Sequence, residues 1–445
     1  MLIYFLSFLL NYTLCKSEQL IFVQTFCRHG SRSPLKFFNG RDALGIKWNG
    51  TGELTPTGKR MHYLLGVFNR QRYITGTYKF LSKKYDPHEL VVFSSDVDRT
   101  LLSITSQLQG LYPMSKETGE ELNQEQLKES FPPFNITCEE VEKELKVLNN
   151  SALPNYMTII PIHYITIENE TKECTEKKNT FKNDNYINKK IIKNLEEEFI
   201  KNYSSIISPP KGVELNFESI SFLYDQYISD ITEGKNLSNY LKDIDKNIFS
   251  ENSYKFLTIF FRDYVFGDDK NEVILFYTSL LMRQMIDNIK RKVDDDIAGK
   301  SSLSDISDYS RPKMVMISGH DFTLSALEMF FIKYFGLKFE EFEYPKYCSQ
   351  ISYEITRDEN ISDKKKEYSD YKASYYFNDK LLLNITLDKF IEKIDEVIWN
   401  DRQMDRFCFG DKKEGEIFNK NSIVLLSVGF LMLILTVIIV FLRLH

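Results

Sequence analysis

The stretch QLIFVQTFCRHGSRSP, residues 19–34, decides the fold. Its first half is an apolar run broken only by glutamine and threonine, and it stops abruptly at the polar CRHGSRSP. That pattern is a buried strand delivering a polar turn. Pro34 disfavours helical backbone at Ser33, so the turn does not simply continue as a helix.

Outward from this unit, the same grammar recurs. GELTPTGKRMHYLLGVFNRQRY follows, where Thr55 or Thr57 can cap a helix that carries Leu64, Leu65 and Phe68 inward. Next, Leu90 to Phe93 form a second strand candidate ahead of SSDVDRT. Arg99 to Leu108 suit a helix with Leu101, Leu102, Ile104, Thr105 and Leu108 partly buried. A long helix is expected over about Val273 to Ile297. KMVMIS, Lys313 to Ser318, is a further strand ending at Gly319, His320 and Asp321, with FTLSALEMFFIKYFG helical after it. QISYEITR and KASYYFNDKLLLNI are expected as two edge strands. Strand, polar loop and helix in repetition predict an α/β layer fold. RHG, SSDVDRT and GHD each follow a strand in the same sense, so they converge on one rim, where ligands of open α/β sheets collect.

Between these halves, about Phe131 to Ile259, the composition turns to Glu, Lys and Asn. Stretches such as YINKKIIKNLEEEFIKNYSSI predict a mostly helical insertion, placed either as a lid over the cleft or as a surface elaboration. The expected organisation is a signal peptide over 1–17, α/β core over 18–130, helical cap insertion over 131–259 and core again over 260–410. A linker over 411–422, a transmembrane helix over 423–442 and a short tail, 443–445, complete it.

The first 14 residues, MLIYFLSFLLNYTL, have the length and character of a signal-peptide apolar region. Residues 423–442 run 20 residues without a charge, enough to cross a hydrocarbon core. Together they predict a single C-terminal span with the body luminal or extracellular, and Arg443 agrees with the positive-inside tendency. Gly410, a polar spacer and an apolar tail also resemble a lipid-anchor signal. Arg443 and the tail length favour the protein anchor.

In an oxidising compartment Cys138, Cys174, Cys348 and Cys408 can form two disulfides, with three connectivities open, while Cys27 suits a buried free thiol. Sequons at Asn49, Asn135, Asn149, Asn169, Asn202, Asn236, Asn360 and Asn384 suggest a glycosylated surface. The net charge is −6 and no Lys/Arg tract marks a nucleic-acid footprint, which argues against that partner class. A homodimer is compatible with the sequence. No H-E-x-x-H, zinc-type Cys/His spacing, G-x-S-x-G elbow or phosphate-binding G-x-x-x-x-G-K-[ST] loop occurs, and nothing visible calls for a cofactor or metal.

The chemistry lies at the strand ends. Arg28 and Arg32 flank His29, and Arg99 adds a guanidinium from the next loop. Arginines suit phosphate oxygens, and a neutral imidazole between them can act as a general base or attack phosphorus directly. His320 can donate to a transferring phosphoryl group and Asp321 can protonate a leaving alcohol. Carboxylates such as Asp96 or Asp98 would raise the Asp321 pKa and arginines would lower it, so the net direction stays open.

These residues resemble the histidine acid phosphatase family. Arg28-His29-Gly30-Ser31-Arg32-Ser33-Pro34 matches its R-H-G-x-R-x-P signature. Gly52-Glu53-Leu54-Thr55 with Gly58, Ser95-Asp96-Val97-Asp98-Arg99-Thr100, and His320-Asp321-Phe322-Thr323-Leu324 match further segments. The resemblance implies an α/β sheet core flanked by helices with a helical cap. It implies that His29 is phosphorylated and then released by water, that Arg28, Arg32, Arg99 and His320 bind the phosphoryl group, and that Asp321 is the proton donor. The implied activity is acid phosphatase action on small phosphomonoesters. The alternatives are a narrow-specificity phytase or nucleotide phosphatase, or a catalytically silent binding or receptor domain. The anchor looks like that of lysosomal acid phosphatases, but a three-residue tail leaves no room for a tyrosine-based sorting signal. Lysosome, other endomembrane and cell surface all remain addresses for the chain.

Overall fold

The computed structural model describes residues 18–36, 48, 50–134, 136, 138–165, 197, 217–235, 254, 257–267, 271–299, 312–359 and 366–409. The opening apolar run is strand β1, Glu18–Arg28, buried along nearly all its length. Helix α1, Pro56–Arg70, follows, with Thr55 as N-cap accepting from the Gly58 amide and Pro56 at the first position, where its missing N–H costs nothing. Strand β2, Leu90–Ser94, leads into helix α2, Asp98–Leu111. Strand β4, Met314–Gly319, leads into helix α7, Asp321–Phe335, which Gly336 closes in the left-handed conformation (φ 72°). Between them come helices α3, Gln124–Glu129, and α4, Glu139–Leu148, strand β3, His163–Tyr164, and helices α5, Phe217–Thr232, and α6, Asn271–Ile297. After α7 come strands β5, Gln350–Asp358, β6, Tyr371–Phe377, and β7, Lys380–Thr386, then helix α8, Leu387–Val397.

Among the described residues these strands make one seven-stranded sheet in the order β3-β2-β4-β1-β5-β6-β7. The first four are mutually parallel and the last three antiparallel. Arg28 lies opposite Gly319, and Ser94 opposite Ser318, so β1, β4 and β2 end level with one another. The three loops carrying RHG, GHD and SSDVDRT therefore leave one edge of the sheet side by side. The α/β expectation holds, and so does the convergence of these motifs.

One face of the sheet offers Leu20, Val23, Leu90, Val92, Met314 and Met316 to a cluster completed by Ile104, Leu108, Leu111 and Tyr112. Against the other face, Phe26 meets Tyr353, and Phe331 meets Tyr353, Tyr375 and Phe390 in one aromatic layer. Fully burying a side chain the size of Phe330 or Phe331 contributes roughly 1.5–3 kcal/mol, so this layer is a main stabilising element.

Three local expectations need correction. The buried side of α1 is Gly58, His62, Gly66 and Asn69, while Leu64 and Phe68 are exposed by 57% and 38%. The cause is a close helix crossing: a Cβ on Gly66 would sit 1.9 Å from the Gln107 carbonyl oxygen. Small and polar residues form that seam and leave Leu64 and Phe68 outside it, while Leu65 packs, partly buried, against the core as expected. For the same reason Leu102 and Thr105 of α2 face outward. Finally, KASYYFNDKLLLNI is a β6–β7 hairpin, not one strand. Asn378 and Asp379 form its two-residue turn with φ 46° and 67°, and β5 is an internal strand rather than an edge.

The chain divides into two compact units, Met1–Glu168 with Asn185–Ile398, and Asn169–Asp184 with Trp399–His445. In the second, helix α9, Asp401–Phe409, is capped by reciprocal bonds between Asn400 and Gln403. Most of the expected insertion belongs to the first unit, where β3 extends the sheet and α5 packs near the strand ends. Its predicted helix over 186–206 lies outside the described residues apart from Glu197, which is helical.

Cys408 is disulfide-bonded. Cys138 and Cys348 are free thiols, as is buried Cys27, so the expectation of two bridges among four cysteines fails at Cys138 and Cys348. Cys138 is exposed at the start of α4, and Cys348 sits at positive φ in the lead-in to β5. Cys174 lies outside the described residues, as do Asn49, Asn135, Asn169, Asn202, Asn236 and Asn360. Asn149 and Asn384 are exposed. Among the described residues no helix is long and apolar enough to cross a membrane, and the segments 1–17 and 423–442 fall outside them.

Candidate active site

His29 is the first residue beyond β1. Its amide donates to the Gly319 carbonyl (3.1 Å), and its own carbonyl accepts from the Cys348 amide (3.2 Å). The next turn demands glycine. A Cβ on Gly30 would lie 2.4 Å from the Gly58 carbonyl oxygen, and one on Gly58 would lie 2.2 Å from that of Ser31. The start of α1 thus presses directly on the RHGSR loop, and Ser103 Oγ accepts from the Gly30 amide (3.0 Å).

The His29 ring is fixed by its Nδ1, 2.9 Å from the Gly30 carbonyl oxygen. A carbonyl can only accept, so Nδ1 carries the proton and Nε2 keeps a lone pair. Burial pushes the His29 pKa well below its usual value, and Arg28, Arg32 and Arg99 push the same way. Both effects favour the neutral ring, the form in which an imidazole nitrogen keeps the lone pair a nucleophile needs.

Each arginine is held by its terminal nitrogens. Arg28 Nη1 donates to the Pro345 carbonyl (2.8 Å) and Nη2 to Asp321 Oδ2 (2.9 Å), while its guanidinium lies 4.5 Å from the Tyr347 ring centre. Arg32 makes a two-pronged pair with Asp225, at 3.0 and 2.6 Å. Arg99, in the first turn of α2, approaches His320 Nδ1 at 3.5 Å. Left over in all three is a buried Nε–H with no hydrogen-bond partner among the described residues. Leaving one such donor buried and unpaired is costly, and three in one pocket is the chemistry of an anion site.

His320 occupies the N-cap position of α7, without a side-chain capping bond, and its ring sits 5.7 Å from that of His29. Arginine donates only, so Nδ1 accepts and Nε2–H donates to Ser95 Oγ (3.0 Å). Asp321 opens α7, where the amide of Phe322 donates to its Oδ1 (2.8 Å) and Tyr344 donates to Oδ2. Burial works to raise the Asp321 pKa, but Arg28, the Tyr344 hydroxyl, Arg32 and His320 overcome it and hold the carboxyl at about 2. The direction left open by the sequence is thus downward, and Asp96 and Asp98 do not decide it.

All six predicted residues, Arg28, His29, Arg32, Arg99, His320 and Asp321, meet in this pocket. Several participants had no sequence motif to announce them. Tyr344 and Tyr347 come from the EYPKYC segment, and Asp225 and Glu233 from the insertion. His62, completely buried, lies 3.0 Å by its Nε2 from the Arg28 carbonyl, supporting the loop from beneath. Among the described residues no group of three or more His, Cys, Asp or Glu is placed to hold a metal ion.

Comparison with known proteins places this geometry in context. Rat lysosomal acid phosphatase is 26% identical over 71% of this chain and 63% of its own length, and the human lysosomal enzyme is likewise 26% identical over 71% and 63%. Human prostatic acid phosphatase is 39% identical over a shorter stretch, 24% of this chain and 28% of that one. The chain therefore spans a little under two thirds of the lysosomal relatives it matches. Among solved structures, a Klebsiella phytase superposes with a TM-score of 0.52 at 14% identity, covering 88% of this chain and 96% of the other. A Citrobacter braakii phytase gives 0.50 at 13% identity, covering 88% and 99%. At such identities these structures speak for the fold alone. The family model described as histidine phosphatase superfamily, branch 2, matches residues 19–375, and the chain belongs to that superfamily.

Proposed function

We propose that this chain is an acid phosphatase that hydrolyses phosphate monoesters through a phosphohistidine at His29. The observation that carries the reading is a neutral imidazole, its Nδ1 tied to Gly30, set among three arginines that each keep a buried Nε–H unused. In the first step Nε2 of His29 attacks phosphorus and the ester P–O bond breaks. The departing oxygen takes a proton from Asp321. Water then attacks the phosphohistidine, the P–N bond breaks, and Asp321 recovers a proton from that water. Asp321 is ionised in the resting protein because Arg28 holds it. A bound phosphoryl dianion competes for Arg28, which raises the Asp321 pKa where the proton is needed. Arg28, Arg32 and Arg99 spread the transition-state charge, and His320 orients the group once its Nε2–H turns from Ser95.

The same reading places the catalytic body outside the cytosol, on a glycosylated, single-span membrane protein of lysosomal, endomembrane or surface address. The two terminal apolar segments and the sequons support it, together with the lysosomal names of relatives.

The test is phosphate release from an aryl phosphate between pH 3 and 8 by glycosylated protein spanning about Lys16 to Gly410. Acid-peaked activity, cut about a thousandfold or more in His29→Ala, is expected for loss of a covalent nucleophile. Unchanged activity in His29→Ala would remove His29 from that role.

A further inference from the structure

Helix α5 and the residue just past it carry Asp225, Ser229 and Glu233 at four-residue spacing; Asp225 and Glu233 reach the phosphate loop, residues 28–35, and Ser229 reaches Tyr347 beside it. Asp225 holds Arg32 through both terminal nitrogens and also accepts from the Leu35 amide (2.8 Å). Ser229 Oγ lies 3.2 Å from the hydroxyl of Tyr347, whose ring is 5.8 Å from that of His29. Glu233, just past the helix end, accepts from Ser31 Oγ (2.6 Å) and Thr57 Oγ1 (3.0 Å), with Thr55 Oγ1 at 2.7 Å. Residues four apart share one face of a helix, so a single rigid rod sets two points of the loop and the Tyr347 ring beside it. Lys36 over the ring of Phe222, 4.6 Å away, adds a fourth contact.

We propose that Asp225 and Glu233 are positioning residues of the phosphate loop, Asp225 aiming the Arg32 guanidinium and Glu233 fixing the hydroxyls around Ser31. This rests on the reading of Arg32 as a phosphate-binding residue. The division of labour on Arg32 argues for aiming. Asp225 occupies the Nη1/Nη2 edge, Nη1 also reaches the Ser33 carbonyl (3.0 Å), and the donors left over are the buried Nε–H and the second Nη2–H on the same side. A fork held on one edge loses little orientational freedom when a phosphoryl oxygen arrives at the other. The rival role for a carboxylate here is competition, in which Asp225 and phosphate contend for the same charge. The two roles predict opposite signs. Loss of an aiming residue weakens phosphate binding, whereas loss of a competitor strengthens it.

The experiment compares full-length glycosylated wild type, Asp225→Asn, Asp225→Glu and Arg32→Ala, with His29→Ala as control. The readouts are kcat, KM for an aryl phosphate, the inhibition constant of inorganic phosphate and the thermal midpoint. Aiming predicts that Asp225→Asn raises KM and the phosphate inhibition constant about tenfold, with kcat changed far less. Asp225→Glu retains charge but misplaces it, so it folds and shows the same direction with smaller size. In an Arg32→Ala background, Asp225→Asn adds nothing further. Unchanged or tighter phosphate binding in a folded Asp225 variant overturns the proposal, as does an effect of full size without Arg32. Persistence of activity in His29→Ala would instead strike the phosphohistidine reading and leave the Asp225 comparison standing on phosphate inhibition alone.

Discussion

The Tyr344 hydroxyl and the Arg28 guanidinium converge on one oxygen, Oδ2 of Asp321. The proposed acid is thus held ionised by two donors of different strength, one of which a conservative change removes. Tyr344→Phe deletes a hydrogen bond to the charged form, so the Asp321 pKa rises from about 2. The limb of the kcat/KM profile that Asp321 governs should move up by about one pH unit, extending activity toward neutrality. A profile superimposable on wild type would remove Tyr344 from any part in this titration.

His29 supplies a second, spectroscopic prediction. Burial and three arginines depress its pKa, so its ring resonances should stay those of the neutral Nδ1–H tautomer when the protein is titrated down to pH 5. An imidazolium signal at that pH would contradict the arrangement. Neutralising the arginines one at a time should bring the titration back toward the ordinary range, Arg28→Gln most, since Arg28 is the largest charge effect on the ring.

His62 makes a stability prediction with a definite sign. Its pKa falls from 6.5 to about 4 on burial, despite bonds to Gln107 and the Arg28 carbonyl. The unfolded chain therefore binds a proton that the folded chain refuses. Stability is fully present above pH 6.5 and is lost as pH falls toward 4, by about 3 kcal/mol from this group. Denaturant melts of wild type against His62→Gln between pH 7 and 4 should show that component of the slope disappear in the variant.

Gly30 offers a steric prediction. Its missing Cβ is matched by backbone 2.4 Å away. Backbone yields poorly, so Gly30→Ala must shift the loop that carries His29. We expect about a hundredfold loss of kcat/KM, out of proportion to a stability cost of about 1–3 kcal/mol, measured by kinetics beside a thermal melt.

How much of this was legible beforehand depended on whether the signal was local. β1, β2 and β4 announce themselves as apolar runs ending in polar turns, and parallel strands in register bring such turns together. That is why Arg28, His29, Arg32, Arg99, His320 and Asp321 could all be named in advance. The α1–α2 seam misled because the contact is made by glycines. The pattern of large apolar residues marks a helix face only where helices stand a side chain apart. The β6–β7 turn was missed because its centre is Asn-Asp rather than a glycine pair, although both residues tolerate the positive φ they adopt. Asp225, Ser229 and Glu233 share a visible helical spacing, but nothing in the chain says what that face touches. Tyr344 is harder still, being an isolated tyrosine whose meaning exists only once α7 has placed Asp321 beside it.

The central position of β4 bears on how the chain acquires its shape during synthesis. Residues 314–319 lie between β1 and β2, yet they leave the ribosome more than two hundred residues after either. Until then β1 and β2 have no shared neighbour, and each presents an open hydrogen-bonding edge flanked by apolar side chains. Pairings of such long sequence separation are slow, and unpaired edges invite association with other chains. Every nascent chain must therefore keep a strand-wide slot waiting through the whole insertion. A translation product cut short of Gly319 would hold His29 without the sheet that presents it.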